Sequence, residues 1–452
     1  LQLRPRDELG NYARFEAAPL LENMWHRVTM TNPGGLGNGY ALYLNAKGDL
    51  NADGRDDLVV GAASGTPGAV YVYYGTSDLS SPPAPQTLTL PETGGQFFGS
   101  DFAVGDVGGT AEPVQDLLVG VRAWSGNRGR VFLYFGRKDS TLDDAAPLEL
   151  RNPPAAGAAA LGGSVKVIED ITGDGLEELL ISSHGEKKVY FFRGRTQSQW
   201  LAMRTDENGT GPCGAACVVS TARADATLTG DADMNFFGRQ RGYARLGDIT
   251  GDGVPDFTIP VSLESINKLL VYSGAMLQSR TSLTTADAVQ VLTQGPPTTG
   301  GGLTGFGAEA VGGIPLLGGP GLDMAVAQPV QHRVHLYRDG TDKGFPVSPV
   351  TIQGSGRFGN ALACGDLNGD GLMDLAIGQN LNPNGSAFVF FNRGVPGAEF
   401  DLVQGTGFAQ SRLPSSTALG ITLAILDFNG DGRKDLAVGD SQSSPARVVV
   451  YY

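Results

Sequence analysis

The 452-residue sequence predicts an all-β chain: a seven-bladed β-propeller of four-stranded antiparallel blades, its ring closed by an N-terminal strand. Three observations predict it. The sequence repeats itself seven times, its apolar runs are of strand length, and no helical periodicity of comparable strength appears. The composition agrees, because 67 Gly and 26 Pro without a triplet period suit short strands joined by tight turns.

Each repeat carries three marks in fixed order. First comes an aromatic residue or Leu followed by Gly, as in Phe98-Gly99, Phe237-Gly238, Phe306-Gly307 and Phe358-Gly359; Leu36-Gly37, Leu161-Gly162 and Leu419-Gly420 are expected to fill the same place. Second comes a short apolar run ending in Asp, such as "FAVGD" or "ALACGD". Third comes an apolar strand and a hairpin into another, such as "LVVGAASGTPGAVYVYYG". The loop-opening residues Asp49, Asp106, Asp170, Asp248, Asp366 and Asp427, with a degenerate copy near Gly313, recur every 50 to 80 residues or so. Four-stranded units repeated radially make a propeller. The chain ends on "RVVVYY", a third strand, so the last blade lacks its outer strand. Residues 1–35 contain "HRVTMTN" and are expected to supply it, leaving 36–452 as one propeller domain. Closure removes an exposed sheet edge.

Between the first two strands lies an acidic loop of pattern D-x-[DNT]-x-D-G-x-x-[DE], present five times. Side chains at positions one, three, five and nine offer oxygens: Asp49, Asn51, Asp53 and Asp57; Asp170, Thr172, Asp174 and Glu178; Asp248, Thr250, Asp252 and Asp256; Asp366, Asn368, Asp370 and Asp374; Asp427, Asn429, Asp431 and Asp435. Position seven offers its carbonyl: Arg55, Leu176, Val254, Leu372 and Arg433. Alternate side chains in a tight loop converge, and Gly at position six allows the bend. An oxygen-only donor set points to calcium, about five ions, and the lack of His or Cys argues against zinc. The second loop (106–116) has two extra residues and Gly108 at a donor position, and the fifth (312–323) keeps only Asp323, so both are expected to be metal-free. Five divalent cations would bring the formal charge from −14 to about −4.

The repeated Phe-Gly, the acidic loop and the "VVGA" or "AIGQ" strand resemble FG-GAP repeats, which form the propeller of integrin α subunits and also occur in fungal lectins and bacterial secreted proteins. The resemblance covers residues 36–452 and implies calcium in the loops, closure by an N-terminal strand, and a binding role in adhesion. No I-domain-sized insertion interrupts the repeats, so a free-standing propeller is expected rather than an integrin subunit. The partner, protein or glycan, is expected on the face opposite the acidic loops, where the hairpins place Arg122, Trp124, Arg128, His184, His332 and Arg333. Stacking on Trp124 would suit a lectin. The stretch 194–235 departs furthest from the repeat and is expected to add a lid or contact surface.

The net charge of −14, with no basic stripe, excludes nucleic acid as a partner. No apolar run is long enough to span a bilayer as a helix. A monomer is expected, secreted or exposed at the cell surface or periplasm, because weak calcium loops fill where calcium is abundant. No catalytic set appears among the four His or in any nucleophile motif, so no enzyme is expected, a propeller lyase or hydrolase being the third reading after adhesion and lectin. Cys213 and Cys217 could close a small loop, and Cys364 is expected to be buried.

Overall fold

The computed structural model describes residues 26–34, 39–45, 48–64, 68–90, 97–109, 114–143, 147–213, 217–232, 234, 236–238, 241–262, 267–294, 305–317, 321–339, 344–345, 349–380, 385–392, 406–409 and 419–452. They form seven sheets in chain order, with first strands that include Tyr40–Asn45, Phe98–Gly105, Leu161–Ile168, Arg245–Gly247, Ala310–Ile314, Phe358–Gly365 and Leu419–Leu426. These seven strands line one central cavity, which makes the arrangement a ring of blades.

The strands are short continuous apolar runs because both faces of each blade are covered. In blade one, Leu58–Ala62 is buried throughout. Leu58, Val60 and Ala62 join a cluster with Val448 and Val450 of blade seven, whereas Val59 joins Phe102 and Leu117 of blade two. Alternate residues thus serve opposite neighbours, and the core lies between blades. The ring closes as expected: Arg27–Thr31 pairs antiparallel with Arg447–Tyr451, Arg27 opposite Tyr451 and Thr31 opposite Arg447. Val28 and Met30 are buried there against blade seven.

The Phe-Gly mark has a structural cause. Its glycine takes a left-handed conformation in six blades, with φ between 71° and 89° at Gly99, Gly162, Gly238, Gly307, Gly359 and Gly420. In several blades the carbonyl of this glycine abuts a small residue in the second strand of the preceding blade. A Cβ added at Gly61 would overlap the Gly99 carbonyl, one at Gly120 the Gly162 carbonyl, and one at Gly378 the Gly420 carbonyl. The Phe-Gly glycine and the small residue of the second strand are therefore two sides of one close approach between blades. Gly120→Ala is expected to cost about 1–3 kcal/mol by overpacking against backbone that cannot yield, read as a lowered urea midpoint with unchanged slope.

Four expectations need correction. In blade one the residues in the Phe-Gly place are Tyr40 and Ala41, with Ala41 at φ 63° and the register skipping from Tyr40 to Tyr43; Leu36-Gly37 lies outside the described residues. Three sheets have five strands: Val219–Ser220 adds parallel to Leu148–Arg151, Ser282–Thr284 adds parallel to Ala226–Thr229, and the first strand of blade four is split into Phe236–Phe237 and Arg245–Gly247. The stretch after residue 194 is no lid. It begins with a capped helix, Gln197–Ala202, whose Trp200 is fully buried against Phe192 and donates Nε1–H to the Val107 carbonyl at 2.8 Å. It then covers the outer edge of blade two. Cys364 is half-buried rather than buried, on a first strand at the wall of the central cavity. Cys213 and Cys217 form a disulfide, with Cα atoms 4.8 Å apart.

Candidate metal loops and partner face

Successive antiparallel strands send alternate connections to opposite ends of the ring, so all first-to-second-strand loops share one end. The five acidic loops there adopt one conformation. The position-six glycines Gly54, Gly175, Gly253, Gly371 and Gly432 have φ of 84°, 89°, 87°, 84° and 85°. In each loop the position-one carboxylate accepts the N–H of positions five and six, at 3.1 and 2.7 Å for Asp49, 3.0 and 2.8 Å for Asp248, and 3.1 and 2.7 Å for Asp366. Asp170 and Asp427 repeat the arrangement. The position-five carboxylate accepts the N–H of position seven, from Arg55, Leu176, Val254, Leu372 and Arg433, at 2.8–3.0 Å. Where position three is Asn, its amide reaches the position-five carboxylate: Asn51 to Asp53, Asn368 to Asp370 and Asn429 to Asp431. Positions one, three and five are therefore drawn together. Thr172 and Thr250 instead turn toward carboxylates of their own loops, Asp170 and Asp256.

Position nine sits apart. Asp57 is buried and accepts the N–H of Leu50 at 2.8 Å and of Gly75 at 2.9 Å, tying the loop to the end of the third strand. Asp256 and Asp374 make the same pair of bonds, the longer Glu178 accepts instead from the position-three N–H of Thr172 and from Gly194, and Asp435 accepts from Phe428. Burial pushes the carboxyls of Asp57, Glu178 and Asp435 up to about 7, and those of Asp256 and Asp374 up to about 6, against the opposing pull of these N–H donors. Among the described residues no three His, Cys, Asp or Glu side chains close on one point. What the loops present is two carboxylates with an amide or hydroxyl between them, and a third carboxylate turned to the backbone. That all-oxygen set, bent around a left-handed glycine, fits a hard divalent cation, for which carbonyl and amide oxygens count as fully as carboxylates.

The loops are also joined to one another. Asp56 N–H donates to the Asp427 carbonyl at 3.0 Å, Gln115 N–H to that of Asp49 at 3.1 Å, and Glu177 N–H to that of Asp106 at 2.8 Å. Ordering one loop therefore fixes the edge of the next blade.

At the opposite end, the second-to-third-strand hairpins carry the residues expected at the partner face, in separate groups. Trp124 is half-buried, with the guanidiniums of Arg130 and Arg151 each 4.6 Å and that of Arg128 5.6 Å from the centroid of its ring. Glu207 holds Arg128 and Arg151 from the inserted segment, and Glu149 holds Arg130. The chain's own cations thus lie over the ring that a sugar would stack on. Arg122 points elsewhere, over the Phe97 ring at 4.4 Å. His184 opens a short 3-10 turn in blade three. His332 is not on the strand with His335 but caps the turn before it, its Nδ1 accepting the Arg357 N–H at 2.9 Å. Arg333 donates to Gln353. His335 is buried between Thr351 and Gln328, and burial lowers its pKa to about 3.

A family model described as FG-GAP repeat matches residues 41–73 and 358–390, in each case the first three strands of a blade. The chain carries FG-GAP repeats. It is similar to integrin alpha ina-1 of Caenorhabditis elegans, 29% identical over 213 residues, covering 41% of this chain and 19% of that one. It is similar to integrin alpha-PS5 of Drosophila melanogaster, 32% identical over 155 residues, 32% of this chain and 15% of that one. It also resembles the phosphatidylinositol-glycan-specific phospholipase D of Mus musculus, 37% identical over 120 residues, 23% of this chain and 12% of that one. The chain thus spans less than a fifth of the length of these relatives. Among the described residues no helix is long and apolar enough to cross a membrane.

Proposed function

We propose that this FG-GAP chain is a calcium-stabilised, extracellular binding propeller of the integrin alpha kind, a monomer that recognises a protein or glycan partner on the face opposite its acidic loops. The observation that carries the reading is five oxygen-lined loops of one conformation at one end of a ring whose repeats align with integrin alpha subunits. Calcium would be held by the side chains of positions one, three and five, the position-seven carbonyl, and lone pairs left on the position-nine carboxylate. It would neutralise carboxylates that the turn forces together. Loops of this kind bind at about 10⁻⁴–10⁻³ M in extracellular modules, which fits a secreted or cell-surface location. A protein partner is favoured over a sugar at Trp124, because three guanidiniums already lie over that ring. Binding is favoured over catalysis, since the buried acids serve backbone donors in the loops.

The test is a panel of immobilised matrix proteins and glycans probed with calcium-loaded protein. A bound member should lose affinity at least tenfold with His184→Ala/Arg333→Glu and be unaffected by Lys434→Ala at the other end. Binding that follows Lys434 instead, or turnover of a probe, overturns the reading.

A further inference from the structure

Beside the open channel lies a second cavity of about 200 Å³, lined by Tyr43, Ser100, Asp101, Arg122, Gly163 and Arg241. Its place follows from topology. Ser100, Asp101 and Gly163 stand near the beginnings of first strands, and Arg122 follows the end of a second strand. All therefore mark the channel mouth opposite the acidic loops. The cavity continues into the central one of about 350 Å³, with which it shares Tyr43, Asp101 and Arg241.

Donors outnumber acceptors here. Asp101 is already engaged, accepting from Ser164 Oγ at 2.7 Å, Val165 N–H at 3.1 Å and Lys166 Nζ at 3.5 Å. Arg241 is held in place, its guanidinium 4.3 Å from the Tyr43 ring centroid and one nitrogen donating to the Leu42 carbonyl at 3.2 Å. Its nearest carboxylate, Glu309, is 3.9 Å away, and burial pushes that carboxyl up to about 7, so it balances Arg241 only in part at neutral pH. Among the described residues Arg122 meets the Phe97 ring and no hydrogen-bond acceptor. Ser100 is 5% exposed, and its hydroxyl has no hydrogen-bond partner among the described residues. A buried hydroxyl without a partner is costly and marks a place where a ligand or water completes the bonding. A guanidinium fork matches a carboxylate in shape as well as charge.

We propose that this mouth binds a carboxylate group, taken between Arg122 and Arg241 with the Ser100 hydroxyl donating to it. The cavity suits a small organic acid or the acidic side chain of a partner loop, and the site stands apart from the adhesion reading because it needs only the channel.

Calorimetric titration of the calcium-loaded full chain tests it with three probes: succinate, an end-blocked Gly-Asp-Gly peptide, and the diamine putrescine. Succinate or the peptide should bind one to one, and putrescine should not. Arg122→Gln should weaken binding at least tenfold without lowering the melting temperature, and Arg122→Lys, which keeps the charge and loses the fork, by less. Lys434→Gln, a cation at the other end of the ring, should change nothing. Binding of succinate alone assigns the site to a free acid, and binding of the peptide alone to a partner's side chain. Silence from both acids, preference for putrescine, or wild-type affinity in both Arg122 variants overturns the proposal.

Discussion

Calcium added to metal-stripped protein is expected to raise its melting temperature by on the order of 10 °C, and chelation to reverse the gain. The size follows from mass action. A site that exists only in the folded chain stabilises it by RT ln(1 + [L]/Kd), about 1.4 kcal/mol at ten times Kd, so five independent sites give about 7 kcal/mol. A chain of this length has a large unfolding entropy, so each kcal/mol moves the midpoint by only about 1–2 °C. The loops are well placed to pass the gain on, because Asp56 and Gln115 donate backbone bonds to the acidic loop of the preceding blade. Magnesium at equal concentration should do less, since it sheds water reluctantly and tolerates crowded protein cages poorly. Scanning fluorimetry against calcium, with Asp366→Ala removing one site, is the measurement. An unmoved midpoint across millimolar calcium would refute the metal.

How much of this was readable from sequence depends on whether a feature is tied to a residue type. The left-handed position of the Phe-Gly mark was readable in six blades, because only glycine takes φ near 80° freely while its carbonyl presses on the preceding blade. Blade one hid it. Ala41 occupies the left-handed position there, and Leu36-Gly37, four residues earlier, carried the expected letters. The acidic loops were readable from alternation alone, which made position nine one more oxygen donor; in the fold Asp57 and its counterparts turn to backbone donors, and alternation carries no sign of that. Trp124 was readable as an aromatic at the end of the ring opposite the acidic loops. Its occupation by Arg151 was not, since that residue comes from the neighbouring strand and is held by Glu207 from an insertion without repeat pattern. The parallel addition of Val219–Ser220 had no sequence mark at all: two residues carry no period.

Asp116→Ala is expected to cost about 4 kcal/mol, the same with calcium or with chelator. Asp116 closes the loop of blade two, which lacks the donor pattern, yet it is fully buried and accepts three backbone N–H groups, from Val107 at 3.0 Å, from Gly108, and from Gly136 at 2.9 Å. Asp323 does the same in blade five, accepting from Leu317 at 2.6 Å and Asp339 at 2.9 Å. A closing acid kept where the other ligands are gone has work that needs no metal: it fastens the loop to the chain leaving the third strand. Removing it orphans buried donors at about 1–3 kcal/mol each, partly relieved by water entering the gap. Asp374→Ala in blade six should lose both this fastening and one calcium step, so its deficit should grow with calcium where that of Asp116→Ala stays constant. The pH dependence separates the two roles further. Burial raises the Asp116 carboxyl to about 7, above its usual value near 3.8, so the folded chain holds a proton that the unfolded chain has released. Its contribution is therefore greatest below about pH 4, declines as pH rises toward 7 and is level above. Urea unfolding of Asp116→Asn against the parent in chelator should show the difference between them change across that window, and a difference flat from pH 4 to 8 would remove Asp116 as the titrating clamp.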